Sequence, residues 1–223
     1  MRIQLLSDLH LESEDFEPQP HPQADVLVLA GDIDSSWRAL DRFAGWPVPA
    51  LLVAGNHEFD GRELDHAWPA LRERCERVGL RLIESQALVL DAPDGRRIRF
   101  LGTVRWCDFN VFGPTRLASA LRAGSYFQRV MGATRGGAVF DAAPSAQRRW
   151  PAAPGWRTRW RSRLVAGGMP RWRSPTSRRA CAVLIRATAN KAVRRVFAMP
   201  TTICCPVPRC GCTATCIAAT TTR

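Results

Sequence analysis

Three short apolar runs dominate the first quarter of the chain, at residues 3–7, 25–30 and 50–54, and each gives way at once to a polar cluster. The second, Asp25-Val26-Leu27-Val28-Leu29-Ala30, shows no alternation after its first residue, which is the pattern of a strand buried on both faces. Between the runs the apolar spacing lengthens to that of helices. Residues 35–44 predict a helix with a serine cap and Trp37, Leu40 and Phe43 on one face; residues 63–78 predict a second with Leu64, Trp68 and Leu71. Strands that alternate with helices imply an α/β architecture. From residue 80 the pattern changes to shorter strands, at 80–83, 87–90 and 98–101, with Pro93-Asp94-Gly95 as a hairpin turn between the last two. A loop carrying Trp106 and Asp108 follows, then a helix over 117–131. After about residue 142 arginine, tryptophan, proline, alanine, serine and threonine follow without sustained period, and no reliable fold is expected there.

The three polar clusters are Asp8-Leu9-His10, Gly31-Asp32-Ile33-Asp34 and Gly55-Asn56-His57-Glu58. In an open α/β sheet the carboxyl ends of neighbouring strands converge on one crevice, so the clusters are expected to meet. Their residue types are those of metal ligands. Asp8 and His10, one residue apart in an extended segment, point to the same side and suit one cation. Asp32 is a carboxylate able to bridge two cations, and Asn56 offers an amide oxygen to the second. His57, beside a ligand but not itself one, is placed to face a substrate. Two divalent ions about 3.5 to 4 Å apart clamp a phosphoryl group and lower the pKa of a bridging water, and a nearby histidine can protonate the leaving alkoxide. Each cluster alone also fits a turn or a helix cap. Their occurrence in order, each directly after a buried strand, favours the metal reading.

Charge changes the picture. A net charge of +12 over 223 residues ordinarily points to a polyanionic partner, but this average conceals a break. Residues 1–141 hold 16 arginines and all 20 acidic residues, a balance of −4, whereas residues 142–223 hold 15 arginines, one lysine and no acid, a balance of +16. Six of the eight cysteines also lie in the second part, and the spacing of Cys204, Cys205, Cys210, Cys212 and Cys216 fits no common zinc pattern. The chain thus divides into a domain at 1–141 and a basic tail at 142–223. No apolar run reaches the length of about 18 residues that a membrane span needs, and the amino terminus lacks the apolar core of a signal peptide. A cytoplasmic protein is expected.

On these residues the chain resembles the calcineurin-like metallophosphoesterases. Asp8-Leu9-His10, Gly31-Asp32 and Gly55-Asn56-His57-Glu58 match that family's first three blocks, and Phe100-Leu101-Gly102-Thr103-Val104-Arg105-Trp106-Cys107-Asp108-Phe109 looks like the strand and loop that follow in bacterial members. The resemblance covers residues 1–141 and implies the amino-terminal half of an αββα sandwich, two mixed sheets flanked by helices. It also implies hydrolysis of phosphomonoesters or phosphodiesters by water activated between two divalent ions (Mn, Fe, Zn or Mg). Asp8, His10, Asp32 and Asn56 are then the metal ligands, with His57 assisting the leaving group. The implied partner is a phosphate ester, with no specific nucleic acid and no membrane.

The family pattern continues with a lone histidine after a later strand and a Gly-His-x-His block, and here the chain departs from it. Its four histidines are His10, His21, His57 and His66, so at least three expected ligands are missing and the second metal shell is incomplete. We hypothesise a frameshift. Read from the third base of each codon, Cys210-Gly211-Cys212-Thr213-Ala214-Thr215-Cys216 permits Trp-Leu-His-Gly-His-Leu-His, with only His or Tyr allowed at the third and seventh places. The same offset over residues 173–179 permits Val-Thr-His-Phe-Ala-Pro, and over 150–161 an amphipathic helix. Loss of one nucleotide, or gain of two, between Asp141 and Trp150 produces this register. DNA sequencing across that interval tests it, and an intact frame whose codons do not spell these blocks would sink the idea. The expected product is a phosphoesterase by family whose catalysis is impaired or absent in this chain. The alternative is a basic nucleic-acid-binding protein acting through 142–223, with a steep salt dependence where a misread tail would bind polyanions indiscriminately.

Overall fold

Val26–Ala30 forms a strand (β2) in which every residue is fully buried, as its unbroken apolar run predicts. The structure, a computed structural model, describes residues 1–104, 109 and 113–140 with their side chains, and the backbone alone of 105, 182–186, 195–198 and 214–222. Beside β2 lie Arg2–Leu6 (β1) and Ala50–Val53 (β3), and Leu80–Leu82 (β4) follows at the edge. All four are parallel, with Ile3 beside Val26, Leu27 beside Ala50, and Ala50 beside Leu80. Parallel neighbours need crossovers, and these are the irregular segment 7–25 from β1 to β2, a segment with a 3₁₀ turn at Arg38–Phe43 from β2 to β3, and the helix Leu64–Val78 (α1) from β3 to β4.

The helix expected over 35–44 is therefore shorter and tighter than its spacing suggested. Trp37, immediately before the turn, takes a left-handed φ of 64° and makes no side-chain cap. The expected serine contribution is Ser36, whose hydroxyl accepts the Arg38 amide at 3.3 Å, while the Asp34 carboxylate accepts the amides of Ser36 at 2.9 Å and Ala39 at 2.6 Å. Asp34, one of the polar residues that follow β2, is thereby committed to the backbone.

Gln86–Asp91 (β5) and Arg97–Arg105 (β6) pair antiparallel about the expected Asp94-Gly95 turn, β6 running four residues beyond the apolar stretch that predicts it. The helix Leu117–Met131 (α2) has the bounds its spacing predicts, and a small hairpin, Thr134–Arg135 (β7) with Ala138–Val139 (β8), follows. Of the tail, the structure describes three strands rich in β-branched residues: Ala182–Arg186 (β9), Arg195–Ala198 (β10) and Ala214–Thr222 (β11). The backbone of β10 pairs with β1, giving the order β10-β1-β2-β3-β4; the second sheet has the order β5-β6-β11-β9. Both sheets thus include strands from beyond Asp141.

Period-two alternation places the two faces of the first sheet in two cores. Leu27, Leu29 and Leu52 pack with Leu40, Phe43 and Leu71 beneath α1 and the 3₁₀ turn, while Val26, Val28 and Val53 pack with Ile98 and Phe100 of the second sheet. The sheets approach so closely that a Cβ on Gly102 would stand 2.7 Å from Val53 Cγ2. The first sheet is mixed, as the resemblance implies. The second is antiparallel in every described pairing rather than mixed; for β5 and β6 the tight turn that joins them permits no other direction. Among the described residues no helix is long and apolar enough to cross a membrane.

Candidate metal centre

The loops that leave β1 and β2 stay side by side after the strands end. The amide of Asp8 donates to Gly31 O at 3.0 Å, that of His10 to Asp32 O at 3.1 Å and that of Leu11 to Ile33 O at 2.9 Å. Asp8 and His10 do not lie in extended backbone as their spacing suggested. Both turn left-handed, with φ of 52° and 45°, and Asp32 does the same at 53°. The continued hydrogen bonds impose this conformation, which is sparsely populated by non-glycine residues and costs on the order of 1–3 kcal/mol at each position. The result is convergence: one oxygen of Asp8, one ring nitrogen of His10 and one oxygen of Asp32 all lie within 4.8 Å of one another.

Asp8 and Asp32 are both buried. Burial pushes the Asp8 carboxyl up to about 6, the nearby Asp32 charge adds to the rise, and the Ser7 hydroxyl opposes it. That hydroxyl sits between the Asp8 carboxylate and the Ala30 carbonyl, 3.0 Å from the latter. Asp32 is likewise raised, chiefly by burial, against a 3.0 Å bond from the His57 amide to its Oδ1. Two desolvated carboxylates facing one imidazole form a site short of positive charge, and such an oxygen and nitrogen donor set suits Mn, Fe, Zn or Mg. The residues present therefore fit one divalent ion well.

Asn56 occupies the end of β3 and is buried; its Nδ2 donates to Met131 Sδ at 3.4 Å. The carboxyl end of α2 is brought there by a 2.7 Å bond from Gly61 N to Met131 O. Asn56 thus lies on the strand end beside Asp32, where a second ion would need it, although it is not within the converging trio. His57 begins a short 3₁₀ turn, His57–Phe59, and its ring stands edge-on to that of His10 with centroids 4.8 Å apart. The five sequence-predicted residues therefore gather at one sheet edge. Trp106 and Asp108 lie outside the described residues.

Three carboxylates stand behind this group, and the pattern of apolar runs gave them no role. Glu58 is completely buried and accepts three backbone amides: Ile33 at 2.8 Å through Oε1, and Asp32 at 3.1 Å and Gly55 at 2.6 Å through Oε2. It ties the loop after β2 to the loop after β3. Burial, with the Asp32 charge, pushes it up to about 7 despite these bonds. Asp60 Oδ2 lies 2.7 Å from His57 Nδ1, and this bond is the main reason that His57 rises to about 9. Glu12 Oε1 lies 3.0 Å from His10 Nδ1. The His10-Leu11-Glu12 and His57-Glu58-Phe59-Asp60 spacings were visible signals for two of these pairs; nothing in the chain's periodicity signals the amide cradle of Glu58.

Gly55 is required by the same packing. A Cβ there would stand 2.2 Å from Asp32 Oδ1 and 2.7 Å from Asp32 N, so the carboxylate and its backbone would have to move. Gly55→Ala is expected to cost about 2–3 kcal/mol of stability, read by urea titration, and to weaken any binding of Mn(II) that the parental chain shows by calorimetry. Retained binding at parental affinity would contradict the placement of Asp32.

Compared with protein-family models, with characterised proteins and with solved structures, the chain gives no match.

Proposed function

We propose that this protein is a metal-dependent phosphoesterase acting on phosphomonoesters or phosphodiesters, and that catalysis in the present chain is impaired because the later histidine ligands are missing. The observation that carries this reading is the convergence of Asp8, His10 and Asp32 within 4.8 Å at the carboxyl ends of parallel strands, with the His57–Asp60 pair beside them. Asp8, His10 and Asp32 would hold one divalent ion, and Asp32 and Asn56 would serve a second. When bound, such ions neutralise phosphoryl charge and activate water for attack.

The protein's own groups do the rest. Asp60 accepts from Nδ1 of His57 and, raising the ring to about 9, holds it as the imidazolium, so that Nε2 also carries a proton that it can give to the departing alkoxide oxygen. Glu58 holds the Asp32 and Gly55 amides, so that the loops carrying Asp32 and Asn56 keep a fixed separation. The buried walls around Asp8 and Asp32 exclude bulk water and strengthen every charge interaction at the site.

The test is hydrolysis of a generic diester with added Mn(II), by this chain and by a version with the reading frame restored after Asp141. The restored protein is expected to be active and this chain at least about 100-fold slower; equal rates would show that the missing histidines are not ligands. In the restored protein, His57→Ala is expected to slow an alkyl phosphodiester by about 100-fold or more but a p-nitrophenyl ester far less, because a good leaving group needs no proton. Equal losses on both substrates would remove the general-acid role. Should Asp32→Ala leave metal-dependent turnover intact, the assignment of catalysis to this site fails.

A further inference from the structure

The imidazole of His10 is held from behind, and the group that holds it is anchored in turn. Glu12 Oε1 lies 3.0 Å from His10 Nδ1, while Glu12 Oε2 accepts the Ser35 amide at 3.0 Å. Ser35 belongs to the loop that follows Asp32. One carboxylate therefore spans the loops after β1 and β2, alongside the backbone bonds from His10 to Asp32 and from Leu11 to Ile33. Its two oxygens are occupied, so it is aimed at the ring rather than swinging in solvent.

We propose that Glu12 is a positioning residue of the metal centre, fixing His10 in the tautomer that carries its proton on Nδ1 so that the Nε2 lone pair faces Asp8 and Asp32. The physical case has two parts. A carboxylate has no proton to give at neutral pH, so the ring atom facing it must be the donor. The other nitrogen is then the bare one, which is the form a cation needs. In water a neutral histidine prefers the opposite arrangement, with the proton on Nε2, so an isolated His10 would spend most of its time unable to bind through Nε2. Placing a carboxylate against Nδ1 reverses that preference, the role such outer partners play around metal-bound histidines.

Stability gives this pair little other purpose. His10 and Glu12 keep 29% and 25% of their side-chain surface exposed, and partly exposed ion pairs contribute about 0–1 kcal/mol. Glu12 can therefore be replaced without losing the fold, and the Ser35 amide it leaves can turn to water.

The inference rests on the metal reading, but its first test needs no metal. Long-range ¹H–¹⁵N NMR of the full chain, metal-free and with neutral rings, should show His10 protonated on Nδ1. In Glu12→Ala the proton should move largely to Nε2, and in Glu12→Gln, whose amide oxygen still accepts, it should stay. The second test is Mn(II) calorimetry: Glu12→Ala should weaken binding by about 10–100-fold and Glu12→Gln by less, with the metal-free urea midpoint of each variant unchanged. A parental His10 protonated on Nε2, or Glu12→Ala binding Mn(II) within twofold of the parental chain, overturns the proposal. If the parental chain binds no Mn(II) while His10 keeps its proton on Nδ1 only in the presence of Glu12, the metal reading falls and the pairing stands.

Discussion

Replacing Glu58 with alanine is expected to destabilise the protein by about 4 kcal/mol, enough to unfold a large share of the molecules in mild urea. The amides of Asp32, Ile33 and Gly55 all end on this one carboxylate, in a place with no exposed surface. A buried amide left without an acceptor costs roughly 1–3 kcal/mol. Three would together cost roughly 3–9 kcal/mol, and the expected loss lies in the lower part of that range because the variant also sheds a desolvated carboxylate. Against a total stability of about 5–15 kcal/mol this loss is large. Glu58→Gln separates charge from geometry: it keeps one oxygen acceptor but turns an amino group toward an amide donor, and should fall between the parental chain and alanine. Urea unfolding of the three proteins gives the measurement, and a loss below about 1 kcal/mol for alanine would mean that these amides find other partners.

The metal-free protein is expected to lose stability as pH rises from 5 to 8, and divalent ions are expected to restore it. Asp8, Asp32 and Glu58 all have folded-state pKa values above their ordinary ones, with Asp8 near 6 and Glu58 near 7. Between the ordinary and the raised value the folded state binds more protons than the unfolded chain, so stability falls with increasing pH. His57, raised to about 9, acts in the same direction between about pH 6.5 and 9, because the stabilisation from its Asp60 partner is complete below the first value and lost through the second. A pKa that differs by one between the folded and unfolded states corresponds to about 1.4 kcal/mol, so a decline of several kcal/mol is expected from pH 5 to 8, where proteins are ordinarily near their stability maximum. A cation at the Asp8, His10 and Asp32 group supplies the missing positive charge. Mn(II) at about 100 times its dissociation constant should add roughly 2.7 kcal/mol, with far less effect at pH 5, where protons compete for the same oxygens. Asp8→Asn should raise the metal-free midpoint at pH 8 and remove most of the Mn(II) effect. Stability that climbs from pH 5 to 8 without metal would show that these carboxylates are not desolvated as the structure has them.

Legibility followed the range of the interactions. The runs at 25–30 and 50–54 name buried strands because burial on both faces leaves no polar position, and a reader of the chain alone could place Asp8, His10, Asp32, Asn56 and His57 at their ends. The helix over 117–131 was legible for the same reason, its period being a local property. The 35–44 segment was not, because its shape depends on the buried Asp34 carboxylate turning back onto the Ser36 and Ala39 amides. Nor was the left-handed backbone of Asp8, His10 and Asp32 visible: it arises from bonds between loops whose partners are 22 or 23 positions apart.

By itself, then, the order of residues determined the parallel strands, the polar groups that cap them and the abrupt loss of acidic residues after Asp141, since each depends on side-chain chemistry over a few neighbouring positions. Only the tertiary structure decided that three of those groups converge within 4.8 Å and that Glu12, Glu58 and Asp60 stand behind them. The reason is physical: a ligand's aim and a carboxylate's proton affinity depend on what packs against it, and packing brings together residues that the chain keeps far apart.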